Sequence, residues 1–305
     1  MERRNVFLVM LVCMLAFTLV FSGCADTIIN VIVEEVPGEE CECPEDPGVV
    51  PMSYCDLLNW DKISGGEIQI SGLNYSRRIL NIPAQLKNMP VTTIGSWSLS
   101  SQRLISVTLP ASITTIMDGA FFGNQLSSIN LRNVTSIGNS AFSNNLLTSI
   151  TIPDTVTDIG GGAFSSNYLT TVVIPDGITN IQWGAFSNNR LTSITIPDSV
   201  TDIGGTAFSS NNLASLTIGS GVTDIGWGAF MSNELTSVTI PPNVTQIDVQ
   251  AFWGNQITSI TIGPNVTLGS NAFGDGFEAA YFAEIATGGT FTRVDATSNV
   301  WTFTP

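Results

Sequence analysis

The side chains that most often carry chemistry are either missing or badly placed for it. The 305-residue chain has no histidine, so Ser-His-Asp and Cys-His nucleophile activation, an HExxH zinc site and a His-ligated haem are all excluded. Cys41-Glu42-Cys43 with Cys55 offers three thiolates, one ligand short of a structural zinc site. In an oxidising compartment the same residues allow one disulfide, from Cys55 to either Cys41 or Cys43. Carboxylates are plentiful: 25 Asp+Glu against 10 Lys+Arg give a formal charge of −15. That sign repels nucleic-acid phosphates. Asp154, Asp176 and Asp198 each follow a proline, and Asp158, Asp202 and Asp224 recur at one later position of the same pattern. Acids that recur in this way single out no general acid and base, and they lack the spacing of a calcium loop. There is no GxxxxGK phosphate loop and no GxSxG elbow, and the only lysines are Lys62 and Lys87. The composition therefore points away from an enzyme, with no cofactor and no metal, and toward binding or structure.

Cys24 is the one cysteine in a chemically telling place. Met1-Glu2-Arg3-Arg4 is a short basic start, Val6 to Phe21 is almost unbroken apolar sequence, and Phe21-Ser22-Gly23-Cys24 follows. Small residues just before a cysteine, at the end of such a run, resemble a bacterial lipobox, with Phe21 where leucine is usual. The resemblance implies that residues 1–23 are a cleaved signal peptide and that Cys24 is lipidated. Several acyl chains anchor a protein far more firmly than one. Residues 24–53 then read as a tether: acidic between Asp26 and Asp46, interrupted by Pro37, Pro44, Pro47 and Pro51, and too poor in apolar surface to fold alone. Ala25-Asp26 places no aspartate directly after Cys24, which by analogy with enterobacterial sorting favours the outer membrane.

The elements that must position any surface are repeats. Ala-Phe recurs at Ala120-Phe121, Ala141-Phe142, Ala163-Phe164, Ala185-Phe186, Ala207-Phe208, Ala229-Phe230, Ala251-Phe252 and Ala272-Phe273, and Ser98-Leu99 is a degenerate earlier copy. The period is 21 or 22 residues. Within a unit, Leu191, Ile194 and Ile196 alternate with Ser193 and Thr195, which predicts a strand with the apolar residues inward. Pro197-Asp198 breaks the strand, and Val200 and Ile203 return to the core on a second short strand. Gly204 to Phe208 then makes a tight turn or a single helical turn. One unit cannot bury its own apolar face, so neighbours must stack. At about 4.8 Å per strand, nine units give a sheet roughly 40 Å long. Asn124, Asn145, Asn167, Asn189, Asn211, Asn233 and Asn255 stand three residues after the phenylalanines from Phe121 to Phe252. They are expected to form a structural ladder, their amides bonding to the backbone of adjacent coils and to one another.

This pattern, LxxLxL followed by PxxVTxIGxxAFxxN, resembles the BspA-like, or Treponema pallidum type, leucine-rich repeats over about Ile82 to Phe273. The segment Ile82 to Gly95 is similar to that family's opening segment, Gly66 to Gly72 to its capping hairpin, and Phe277 to Phe303 to a terminal β-cap. The resemblance implies a leucine-rich repeat solenoid with a parallel β-sheet on the concave face, short strands or helical turns on the convex face, and β-rich caps. The expected divisions are an N-terminal cap at 54–91, repeats at 92–273 and a C-terminal β-cap at 274–305. The resemblance also implies a surface protein that adheres to host or bacterial macromolecules, protein or glycan. The competing expectation is an envelope spacer with no adhesive role, since near-identical repeats suit a rod.

Outward strand positions are almost all hydroxyls, from Ser106/Thr108 to Ser259/Thr261, with Asn130 and Val173 as exceptions. The variable positions lie elsewhere. Tyr168, Trp183, Arg190, Trp227, Met231, Glu234 and Trp253 are the candidate partner-binding residues, as an aromatic rim able to anchor a ligand. The lipobox reading yields the first test. A Cys24→Ala variant is expected to move from the detergent phase to the aqueous phase when cell extracts are partitioned, and a variant that stays with the detergent contradicts lipidation.

Overall fold

A computed structural model of the chain describes residues 57–74, 78–274, 276–283 and 288–305. The signal peptide, Cys24, the tether, and Cys41, Cys43 and Cys55 lie outside the described residues. The chain opens with β1 (Leu58–Lys62), β2 (Ile68–Leu73), β3 (Ile79–Asn81), β4 (Gln85–Leu86) and β5 (Met89–Ile94). Short strands then come in alternation: β6 (Ser106–Thr108), β7 (Thr115–Ile116), β8 (Ser136–Ile137), β9 (Asp158–Ile159), β10 (Asn180–Ile181), β11 (Ser193–Thr195) and β12 (Asp202–Ile203). They continue as β13 (Ser215–Thr217), β14 (Asp224–Ile225), β15 (Ser237–Thr239), β16 (Gln246–Ile247), β17 (Ser259–Ile262) and β18 (Thr267–Leu268). One helix, α1 (Phe277–Ala283), and two strands, β19 (Gly289–Thr292) and β20 (Thr302–Thr304), close the chain.

Each coil has three sides. The strand at Ser193–Thr195 buries Ile194 and exposes both hydroxyl residues, while Leu191 and Ile196 enter the core on either side of it. Pro197 to Val200 turns with a Val200 N–H bond to the Pro197 carbonyl. The two-residue strand at Asp202–Ile203 buries Ile203 and exposes Asp202. The turn through Gly204 to Ser210 then brings Ala207 and Phe208 inside, both fully buried. Left-handed backbone flanks each such pair, here at Thr206 (φ 53°) and Ser210 (φ 55°). Between those points, turn bonds within a coil alternate with bonds to the next coil. Ala207 N donates to Gly204 O at 3.2 Å, and Phe208 N to Ala229 O at 2.8 Å.

The stacking is parallel and in register. The second strand of each unit builds the longer ladders, β2-β5-β7-β8-β9 and β10-β12-β14-β16-β18, with Asn180, Asp202, Asp224, Gln246 and Thr267 aligned along the second. The hydroxyl-bearing strands pair only in shorter sets, β3-β6, β11-β13 and β15-β17. The strand expected to be secondary is thus the more continuous one. Bonds that link the hydroxyl sides of the middle coils are long, 3.2 Å from Thr170 N to Thr148 O and 3.4 Å from Thr192 N to Thr170 O, against 2.8 Å from Thr258 N to Thr236 O. The longer ladders are held close by a glycine row: a Cβ on Gly160 would lie 2.4 Å from Asn139 N, and one on Gly269 2.2 Å from Val249 N. Gln182 occupies that row where the ladder breaks between β9 and β10, and a cleft of about 260 Å³ opens beside it. A side chain in the row does not by itself break the ladder, because Met117 and Asp248 stand there with their backbone bonds intact.

A column of rings runs through the aliphatic core. Phe121, Phe142, Phe164, Phe186, Phe208, Phe230, Phe252 and Phe273 stack with centroids 4.8 to 5.6 Å apart and planes within 13°. That separation exceeds the roughly 3.5 Å contact distance of face-to-face rings, so the stack is offset, the arrangement the ring quadrupole favours. Phe277 ends the column edge-on to Phe273 at 4.8 Å and 66°, and meets Phe291 and Trp301 edge-on as well. The C-terminal cap is therefore not β alone. Glu278, Ala279 and Ala280 favour a helix, and the i, i+4 pair Phe277 and Tyr281 is its buried face. The Tyr281 hydroxyl accepts from Val266 N at 2.9 Å and donates to Gly263 O at 2.8 Å, tying the helix to the last coil. The hairpin β19-β20 then extends the hydroxyl side antiparallel to β17. At the other end, the hairpin β1-β2 joins the coils directly, through parallel pairing of β2 with β5.

Ser98 stands where eight coils carry alanine, and its buried hydroxyl has no hydrogen-bond partner. Replacing it removes a desolvated polar group without opening a cavity. Ser98→Ala is expected to stabilise the protein by about 1 kcal/mol, read as a higher urea midpoint. A lower midpoint contradicts the absence of a partner for that hydroxyl.

Candidate binding surface

The asparagine row lies inside the coil, not on the surface. Asn189 is buried. Its Nδ2 donates to Phe164 O of the preceding coil at 2.9 Å and to Phe186 O of its own coil at 3.1 Å, and its Oδ1 accepts from Leu169 N at 3.0 Å. Asn145, Asn167, Asn211, Asn233 and Asn255 repeat this set of bonds. Asn124 binds Leu99 O, Phe121 O, Gln102 N and Leu104 N. The expected bonds to the backbone of adjacent coils are present, but among the described residues no bond joins one ladder amide to another, contrary to the expectation from stacking. Backbone groups take up both ends of each amide, which leaves nothing for a neighbouring side chain.

The hydroxyl side is a shallow depression of about 800 Å³, lined by Thr171, Val173, Ser193, Thr195 and Thr217 among others. Val173, 80% exposed, stands out of it, and Ile174, Ile196, Pro197 and Ile218 also line it. Asp198 sits at its margin and accepts from both the backbone N–H (2.6 Å) and the hydroxyl of Ser220 one coil on. Those two bonds hold its carboxyl below the usual aspartate value. Asp158, Asp202 and Asp224 each accept from the hydroxyl of the preceding threonine. Among the described residues no three acids or thiols gather closely enough for a metal ion.

The candidate rim divides into three rows. Tyr168, Arg190 and Glu234 occupy the row just before the strand leucine. The Arg190 guanidinium lies over the Tyr168 ring at 4.5 Å, and Glu234 accepts from Asn212 Nδ2 at 3.0 Å. Trp183 and Trp227 occupy a second row two coils apart, 62% and 45% exposed. Trp253, exposed, and Met231, half-buried, form a third row just after the core phenylalanines. Among the described residues no ring contact joins the three tryptophans, so they are separate anchor points and not a fused patch.

Comparison with known proteins places this geometry. The family profile of the BspA type leucine rich repeat region matches in six copies, over residues 77–170 and 157–277. The chain belongs to the BspA-type leucine-rich repeat family. A leucine-rich repeat protein from Bacteroides ovatus is similar in structure, at 22% identity and a TM-score of 0.53, with 72% of this chain and 67% of that one covered. A leucine rich cell surface protein from Faecalibacterium prausnitzii is 24% identical with a TM-score of 0.48, covering 74% of each chain. A leucine-rich repeat protein from T. pallidum is 19% identical with a TM-score of 0.34, covering 75% of this chain and 94% of that one. Comparison with curated proteins gives no match.

Two features of this BspA-type array escaped the sequence reading. Trp97 is 54% exposed in left-handed backbone (φ 57°), its ring over Gly119 and edge-on to Phe122 at 5.5 Å. It belongs to the degenerate first unit, so the repeat alignment gave it no row. The second is a threonine row, Thr92, Thr114, Thr135, Thr157, Thr179, Thr201, Thr223 and Thr245. Two hydroxyls of this row that have no aspartate beside them reach the carbonyl one coil back, from Thr135 to Thr114 at 3.2 Å and from Thr245 to Thr223 at 3.4 Å. Its signal is the threonine that recurs in the VTxI stretch of the repeat.

Proposed function

We propose that the protein is a lipid-anchored bacterial cell-surface protein whose solenoid is a binding, adhesive module for host or bacterial surface macromolecules, and that it catalyses nothing. The observation that carries this reading is a contrast within one molecule. The hydroxyl side repeats almost without change, whereas unlike side chains stand exposed on the turn side at Tyr168, Trp183, Arg190, Trp227, Glu234 and Trp253. A regular scaffold that displays irregular, partly aromatic groups has the form of a recognition surface. The adhesive role implied by the family resemblance supports the same reading, as does the lipobox-like Cys24 followed by a long acidic tether. An extended tether of one charge would hold the coils away from an anionic membrane.

The regular hydroxyl side itself favours a second reading, a spacer or assembly protein of the cell envelope, which needs uniformity more than recognition. Protease treatment of intact cells separates the two. Loss of the repeat domain from a blot of shaved cells is expected for an outward-facing adhesive module. Full protection until lysis overturns surface adhesion and favours the spacer.

A further inference from the structure

The row that carries Trp183 and Trp227 runs Gly161, Trp183, Gly205, Trp227, Val249 along successive coils. Tryptophan and glycine positions therefore alternate from Gly161 to Trp227. The fit at Gly205 is close: a Cβ there would lie 2.9 Å from Trp183 Cδ1 and 3.3 Å from its Nε1. Trp183 thus rests against the next coil where only glycine leaves room, and most of its surface still faces solvent. The core rings beneath set the step. Phe186 to Phe208 is 5.6 Å and Phe208 to Phe230 is 5.5 Å, so the two indoles are anchored two such steps apart. No charged residue occurs in the turns 182–189, 204–211 or 226–233.

We infer that Trp183, Gly205 and Trp227 form a track for a neutral, β-linked oligosaccharide lying along the solenoid axis. This rests on the binding-module reading above and names the chemical class of its ligand. A pyranose ring presents a face of weakly positive C–H groups, which suits the negative face of an indole. In an extended β-1,4-linked chain every second sugar presents the same face, and two sugar residues span about the length of these two coil steps. Alternate sugars stack on Trp183 and Trp227, and the sugar between them passes over the edge of the Trp183 ring where it leans on Gly205, a position with no side chain of its own. The absence of charge along the track selects a neutral glycan over an acidic one. A protein anchor is less well served, because hot-spot side chains bind as packed clusters sealed from water, and among the described residues no ring contact joins these two indoles.

The test is native gel electrophoresis of the purified protein through gels containing hydroxyethylcellulose, mixed-linkage β-glucan or xylan, with α-linked dextran as the contrast. Retardation by at least one β-linked probe is expected. Trp183→Ala and Trp227→Ala should each weaken it about tenfold at unchanged melting temperature, and Trp183→Tyr should retain part of it. Gly205→Ala, which keeps both indoles but displaces one, should also weaken it. No retardation by any β-linked probe, equal retardation by dextran, or retardation that survives both tryptophan-to-alanine changes overturns the track. Saturable binding of a matrix protein that is equal in wild type and in both variants overturns the glycan track while leaving the binding module standing. Failure of both assays removes both.

Discussion

The side-chain amide at the end of each turn is the interaction on which the rest of this solenoid depends. A coil must reverse direction through left-handed backbone between its phenylalanine and its strand leucine, and there the ladder bonds of a sheet run out. The asparagines from Asn145 to Asn255 replace them, each donating to two phenylalanine carbonyls and accepting from one leucine N–H across the boundary between coils, as Asn189 does. A buried backbone group without a partner costs about 1–3 kcal/mol, and a stack of eight or nine coils would multiply that cost. The amide also sets register, because its three partners belong to two coils and only one alignment satisfies them all. Once register is set, Phe falls on Phe, Thr on Thr and Gly on Gly.

Register converts a linear pattern into rows, and rows decide what the surface offers. Positions that must be apolar, small or amide are spent on the interior. What remains free is the hydroxyl side, where β-propensity and solubility suffice, and the turn side, where unlike residues appear. The glycine between Trp183 and Trp227 shows how the two demands meet: it is both close to a neighbouring coil and the space into which an exposed indole leans. The caps obey the same logic. Phe277 turns edge-on to close the ring column, and the β1-β2 hairpin gives β5 a partner strand, so neither end leaves core rings bare.

Most of the architecture was legible because repetition amplifies weak signals. One LxxIxI stretch is ambiguous, but eight in register specify a solenoid, its inward residues and the buried Phe column. Three things were not legible. The unequal continuity of the two strand rows depends on differences of a few tenths of an ångström between coils, such as the long Thr192–Thr170 bond. The helix Phe277–Ala283 lies past the last repeat, where only seven residues of local propensity speak. The partners of the amides were also half misread: stacking identical amides suggests mutual bonds, but the nearby carbonyls of Phe164 and Phe186 capture both hydrogens of Asn189 first. For the surface, sequence identified which residues vary and that Trp183 and Trp227 lie two repeats apart, while the leaning of Trp183 onto Gly205 needed coordinates.

Native-state hydrogen exchange on an Asn189→Ala variant bears most directly on the claim that the amides carry the stacking. Removing one mid-array amide leaves the buried Leu169 N–H without its acceptor. The expected result is loss of protection at Leu169 together with faster opening of the coils on both sides of residue 189, and a fall in stability of about 1–3 kcal/mol. Unchanged protection at Leu169 and an unchanged stability would contradict the account, and would mean that the phenylalanine column and the strand ladders hold the coils together without the amides.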